Sequence, residues 1–147
     1  MGRLGAQLAQ HLQSYGFNVA GWSRSKKQLD GVTSYAGTEE LEPFLKRTDA
    51  LCCLLPLTPD TQGILNRQNM SQLPKGAVVI NAGRGKHLMV DDLVELLDEN
   101  HLRGAVLDVF EQEPLPTEHK LWQHPKVIVT PHSSAQSEYA ACVQKIG

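Results

Sequence analysis

Ala77-Val78-Val79-Ile80-Asn81-Ala82-Gly83-Arg84-Gly85 decides the fold. A short apolar run stops abruptly at turn residues and an arginine, the pattern of a buried strand running into a loop. The arrangement returns twice. Gly104-Ala105-Val106-Leu107 leads into Asp108-Val109-Phe110-Glu111-Gln112-Glu113-Pro114, and Val127-Ile128-Val129 leads into Thr130-Pro131-His132. In an open parallel sheet, ligands bind just beyond the carboxyl ends of the strands. An arginine, a carboxylate and a histidine are therefore delivered to one rim. They make a set suited to a carbonyl compound that bears a carboxylate: a clamp, a charge partner and a proton donor.

Working outward, helix and strand alternate almost to the chain end. Leu4, Leu8 and Leu12 recur at helical spacing, with Gly16 as a natural C-cap. Phe17 to Trp22 and Val32 to Tyr35 read as strands, and Thr38 is placed to cap a helix through Leu45 with Leu41, Phe44 and Leu45 inward. Asp49 to Leu55 reads as a strand ending at Pro56. Thr58-Pro59-Asp60-Thr61 is expected to start a short helix, and Asn66 to Leu73 to form another, stopped by Pro74. Val90, Leu93, Val94 and Leu97 form an i, i+3, i+4, i+7 stripe, and a final helix is expected from about Ala135. Strands separated by helices of this length imply parallel crossovers and an α/β sheet.

The bulk properties narrow the class. A chain of 147 residues, 41% hydrophobic with a formal charge of −2, suits one domain with a core and implies neither disorder nor a nucleic-acid surface. No apolar run approaches the roughly 20 residues that a bilayer requires, and the N-terminus has no signal-peptide pattern. Three cysteines do not make a disulfide framework. Cys52 and Cys53 are neighbours on a strand, so they point to opposite faces and are poorly placed to share a metal. Reduced thiols in a cytoplasmic protein are the simplest reading.

Gly2-Arg3-Leu4-Gly5 opens the first helix and matches the last four positions of G-x-G-x-x-G. Met1 then takes the first x, and the first glycine, with the strand that feeds it, would precede the chain. The expected architecture is thus α/β, a doubly wound parallel sheet of Rossmann type lacking its first strand. Residues 1–147 form one dinucleotide-binding domain, incomplete at its N-terminus. The second strand ends in Ser23-Arg24-Ser25-Lys26-Lys27, where an NAD-type fold expects an acidic residue for the ribose 2′-hydroxyl. Hydroxyls and cations suit a 2′-phosphate instead, with Arg24 as the best-placed fork, so NADP is favoured over NAD. The other reading of this stretch is an ordinary basic surface loop.

With these residues assembled, the chain resembles the D-isomer-specific 2-hydroxyacid dehydrogenases, and within them the glyoxylate/hydroxypyruvate reductase branch. The segments that carry the resemblance are 55–61 (Leu-Pro-Leu-Thr-Pro-Asp-Thr), 80–85 (Ile-Asn-Ala-Gly-Arg-Gly), 107–116 (Leu-Asp-Val-Phe-Glu-Gln-Glu-Pro-Leu-Pro) and 130–132 (Thr-Pro-His). The resemblance implies that His132 is the acid that protonates the substrate carbonyl oxygen and that Glu113, rather than Glu111, pairs with it. It implies that Arg84 binds the substrate carboxylate and polarises the carbonyl. Gly2, Arg3 and Leu4 would contact the cofactor at the fingerprint, and Ser23, Arg24 and Ser25 its 2′-phosphate. Asp108 would meet the nicotinamide carboxamide, with Pro56, Ala82 and Ser134 lining the same cleft. The other histidines (His11, His87, His101, His119, His124) have no comparable context.

The resemblance also implies a second, substrate-binding domain, commonly in a homodimer, that supplies backbone N–H groups and shuts out water. This chain carries neither part of that domain, so alone it is expected to be nearly inactive. Three readings remain: part of an NADPH-dependent reductase of a small 2-ketoacid such as glyoxylate or hydroxypyruvate, a non-catalytic dinucleotide-binding or interaction module like the corepressor relatives, or a truncated gene product with no role of its own.

Overall fold

The computed structural model describes residues 2–134. The apolar runs form six strands in two parallel ladders. β1 (Ala20–Ser23) pairs with β2 (Thr33–Ala36); β3 (Ala50–Cys53), β4 (Ala77–Asn81), β5 (Leu102–Leu107) and β6 (Val127–Val129) form the larger sheet in that order. Helix α1 (Arg3–Ser14) precedes β1, and α2 (Leu41–Lys46), α3 (Arg67–Met70) and α4 (Val90–Asp98) lie in the crossovers that follow β2, β3 and β4. Parallel neighbours need such crossovers, because a tight turn cannot return the chain to the same end of the sheet. In the doubly wound order 3-2-1-4-5-6, one strand stands between the second and the fourth. The two ladders match the blocks on either side of that position, and β1 and β3 each have one strand partner among the described residues.

Burial follows the strand period. β4 alternates buried and half-buried positions, with Ala77, Val79 and Asn81 inward, and on β3 Leu51 and Cys53 face in while Cys52 faces out. Burial pushes the Cys53 thiol up to about 11, which makes it an inert packing group. Leu93, Leu96 and Leu97 of α4 are fully buried and meet Met70 and Leu73 from the α3 region and Val79, Leu102 and Leu107 from the sheet in one core. Val90 and Val94 of the expected stripe sit at its margin, and the full stripe includes Leu96.

Several elements depart from the sequence reading for local reasons. Thr58 to Thr61 forms turns, not a helix: the Thr61 hydroxyl donates to the Pro56 carbonyl at 2.7 Å and accepts the Thr58 N–H at 2.9 Å. Threonine side chains compete in this way for backbone groups that a helix would use. Thr38 does not cap α2, which starts at Leu41; Glu40 stands at its N-cap, and the Glu40 carboxylate accepts the Ala36 N–H and pairs with Lys26. Asn66 caps α3 by accepting the Asn69 N–H, and the helix ends at Met70, short of the expected 66–73. β1 starts at Ala20 rather than Phe17, and β5 begins at Leu102, ahead of Gly104. α1 buries Ala9 while Leu4 is 51% exposed, and it lies against β1. The helix expected from Ala135 lies outside the described residues.

Candidate active site

Register brings the strand ends level. Cys53 pairs with Asn81, Asn81 with Leu107, and Leu107 with Val129, so the residues that follow form one ledge. Backbone bonds extend the row one step: the N–H of Ala82 donates to Cys53, that of Asp108 to Asn81, and that of Thr130 to Leu107. Pro56, Ala82, Arg84, Asp108 and His132 all leave the sheet at this rim.

His132 and Glu113 meet here. Glu113 Oε2 lies 2.8 Å from His132 Nδ1, while Glu113 Oε1 accepts the Phe110 N–H at 2.9 Å. The carboxylate is thereby fixed from its own loop before it engages the imidazole. The His132 contact, and then the Phe110 N–H, hold the Glu113 carboxyl below its usual range against a smaller opposing effect of burial. With Nδ1 engaged, His132 Nε2 is left for a ligand, and the side chain is 49% exposed. His132 sits at φ +51°, in the left-handed region, after a three-residue turn closed by its own N–H on the Thr130 carbonyl. Glu111 is exposed and has no side-chain hydrogen bond among the described residues.

Asp108 is buried, 3% exposed, directly beneath this turn. Oδ1 accepts the Thr130 hydroxyl and, at 2.9 Å, the Ser133 N–H; Oδ2 accepts the Ser134 N–H at 3.0 Å. Burial pushes this carboxyl up, but the Thr130 hydroxyl and then the Ser134 and Ser133 N–H groups together outweigh it and hold the group down to about 2. Asp108 thus shapes the loop that carries His132, and Ser134 joins it through its backbone.

Arg84 follows β4. Its Nη1 donates to the Gly83 carbonyl at 2.7 Å, and the rest of the guanidinium has no side-chain partner among the described residues. Its loop is held from below: Asn81 Oδ1 accepts the Gly83 N–H at 3.2 Å, Asn81 Nδ2 donates to the Arg84 carbonyl at 3.1 Å, and His87 Nδ1 accepts the Arg84 N–H at 3.1 Å. Gly85 brings this loop against the next one, since a Cβ there would stand 1.9 Å from the Phe110 carbonyl carbon. The absence of a side chain lets the Arg84 loop touch the loop bearing Glu113.

At the other end, Gly2 is the extended N-cap of α1 and has no side chain to satisfy the first-turn N–H groups. Gly2, Arg3, Ala6, Lys27, Gln28 and Leu29 line a shallow groove of about 240 Å³. Arg24 and Ser25 are exposed, and Arg24 has no side-chain partner among the described residues. Ser23 is buried, 8% exposed, and its hydroxyl donates to the Ser25 carbonyl at 2.9 Å, so its proton is used within the turn. Lys26 is paired with Glu40 at 2.8 Å. Two residues of the rim escaped the sequence reading. Asn81 was signalled only by being polar at the end of an apolar run, and His87 by nothing beyond its place three residues after Arg84.

Two parallel ladders, with a glycine-opened helix against one and a Glu–His pair and an arginine on the rim of the other, have the pattern of the nucleotide-binding part of a dehydrogenase. Residues 1–134 match the D-isomer specific 2-hydroxyacid dehydrogenase, NAD binding domain, family. A D-isomer specific 2-hydroxyacid dehydrogenase family protein from Klebsiella pneumoniae 342 is 48% identical, with a TM-score of 0.95 over 99% of this chain and 47% of its own. The NADPH-dependent glyoxylate/hydroxypyruvate reductase from Sinorhizobium meliloti, solved with NADP and sulfate, is 46% identical, with a TM-score of 0.94 over 99% of this chain and 48% of its own. A D-isomer specific 2-hydroxyacid dehydrogenase from Xanthobacter autotrophicus Py2, solved with NADPH and MES, is 41% identical, with a TM-score of 0.95 over 99% of this chain and 60% of its own. The chain belongs to the D-isomer specific 2-hydroxyacid dehydrogenase family. It spans about half the length of the solved proteins it matches.

Proposed function

We propose that the protein carrying these residues reduces a small 2-ketoacid, glyoxylate or hydroxypyruvate, to the 2-hydroxyacid with NADPH. The observation that carries the reading is the 2.8 Å Glu113–His132 pair on the same ledge as Arg84. The similarity to an NADPH-dependent glyoxylate/hydroxypyruvate reductase supports the choice of substrate and cofactor.

The residues present fit a phosphorylated dinucleotide. First-turn N–H groups at Gly2, Arg3 and Leu4, uncapped by any side chain, suit a pyrophosphate. Arg24 and Ser25 suit the 2′-phosphate, and Pro56, Ala82, Asp108 and Ser134 border the nicotinamide end. When bound, NADPH supplies the hydride. Arg84 holds the substrate carboxylate by the guanidinium donors not bonded to Gly83 or to any other described residue, and draws electron density from the adjacent carbonyl. His132 gives its Nε2 proton to the carbonyl oxygen, and Glu113 keeps the ring oriented through Nδ1. One hydride on carbon and one proton on oxygen complete the alcohol. We place the protein in the cytoplasm as a homodimer, on the free Cys52 and Cys53 thiols and on the family resemblance.

Replacing His132 with Gln in the full-length protein tests the assignment. Turnover should fall by roughly 10²- to 10⁴-fold while NADPH affinity, read by fluorescence, stays within about twofold. An unaffected rate would remove His132 from the acid role.

A further inference from the structure

We propose that His87 is a positioning residue for Arg84, a buried neutral imidazole that ties the Arg84 backbone to the Pro56 loop. The inference rests on the reading of Arg84 as the carboxylate clamp. His87 is fully buried, among the largest side chains in the core. Its Nδ1 accepts the Arg84 N–H at 3.1 Å, which requires an unprotonated Nδ1, so the ring proton is on Nε2. Nε2 faces the Pro56 carbonyl at 3.4 Å, a long contact. One ring thus bridges the loops after β3 and β4, both placed by the sheet register at the same rim.

The surroundings show why an imidazole is there. Side chains hold the Arg84 loop at three backbone groups: Asn81 accepts the Gly83 N–H and donates to the Arg84 carbonyl, and His87 accepts the Arg84 N–H. An apolar residue at 87 would leave the Arg84 N–H without that partner. The ring also supports the turn sterically: a Cβ at Gly83 would stand 3.0 Å from His87 Nδ1. The tether acts on the backbone that aims the guanidinium and touches no substrate. Its loss should blur the direction of Arg84, weakening ketoacid binding more than hydride transfer.

Two variants of the full-length protein separate this role from simple packing. His87→Leu removes both polar contacts, whereas His87→Asn keeps an acceptor, Oδ1, near the position of Nδ1. The Leu variant should raise the KM for glyoxylate about tenfold, with kcat and NADPH affinity changed less than about threefold, and the Asn variant should recover most of that loss. Hydrogen exchange at the Arg84 amide gives a readout independent of activity. It should be slow in the parent and in Asn, and about tenfold faster in Leu. Equal exchange in all three proteins would overturn the tether, as would an equal loss of kcat and melting temperature in both variants with no recovery of KM by Asn. If the parent reduces no ketoacid, the proposed function fails, and the exchange experiment still decides whether His87 holds Arg84.

Discussion

Single residues at the rim divide into those that would touch a ligand and those that hold others. Arg84, Glu113 and His132 were legible as candidates because each follows closely on an apolar run, and the parallel register brings those runs level. Asn81 and His87 were not legible because they serve backbone groups of a loop, and no residue pattern announces an N–H that needs an acceptor. Asp108 lies between the two cases: its position at a strand end was visible, but its three partners come from residues 130–134, more than twenty positions away. Its carboxyl, at about 2 against an ordinary 3.8, contributes stability that is present above pH 3.8 and lost as pH falls toward 2. Asp108→Asn should therefore cost about 2 kcal/mol in urea unfolding at pH 7 and flatten the loss of stability in that acid window. An Asn variant with the parent's acid slope would refute the assignment.

Among elements, the strands were plain and the short helices were not. β4, β5 and β6 stand where their apolar runs lie, because burial on a sheet requires a continuous apolar segment. The expected helix at Thr58 failed because the Thr61 hydroxyl binds backbone groups of Pro56 and Thr58, an outcome that the permitted proline position does not reveal. The close approach of the loops after β4 and β5 also left no trace except a glycine. Gly85→Ala places a methyl against the Phe110 backbone, where neither side is a flexible side chain. The substitution should cost about 1–3 kcal/mol and lower kcat by about tenfold or more, as the 110–113 segment carries Glu113 away from His132. A variant with unchanged melting temperature and kcat would show that the two loops part without consequence.

For the whole molecule, the two ladders, the level strand ends and the family match give one account: a nucleotide-binding domain with Arg84 and the Glu113–His132 pair on an open ledge. The ledge is exposed, with His132 and Glu113 at 49% and 37%, and charges in water act weakly on a reacting carbonyl. A second wall over the rim is therefore part of the proposed reaction, which belongs to the full-length protein. The sequence carried this much because the decisive segments are local in the chain; how the ladders sit about β1 and β3 is a matter of pairing between distant segments. The most direct measurement is steady-state loss of NADPH absorbance by the full-length protein with glyoxylate and with hydroxypyruvate, repeated with NADH. Saturable oxidation that produces the 2-hydroxyacid mole for mole, with kcat/KM for NADPH well above that for NADH, is the predicted result. NADPH binding without ketoacid-dependent oxidation would contradict the account and assign the domain to a non-catalytic, cofactor-sensing role.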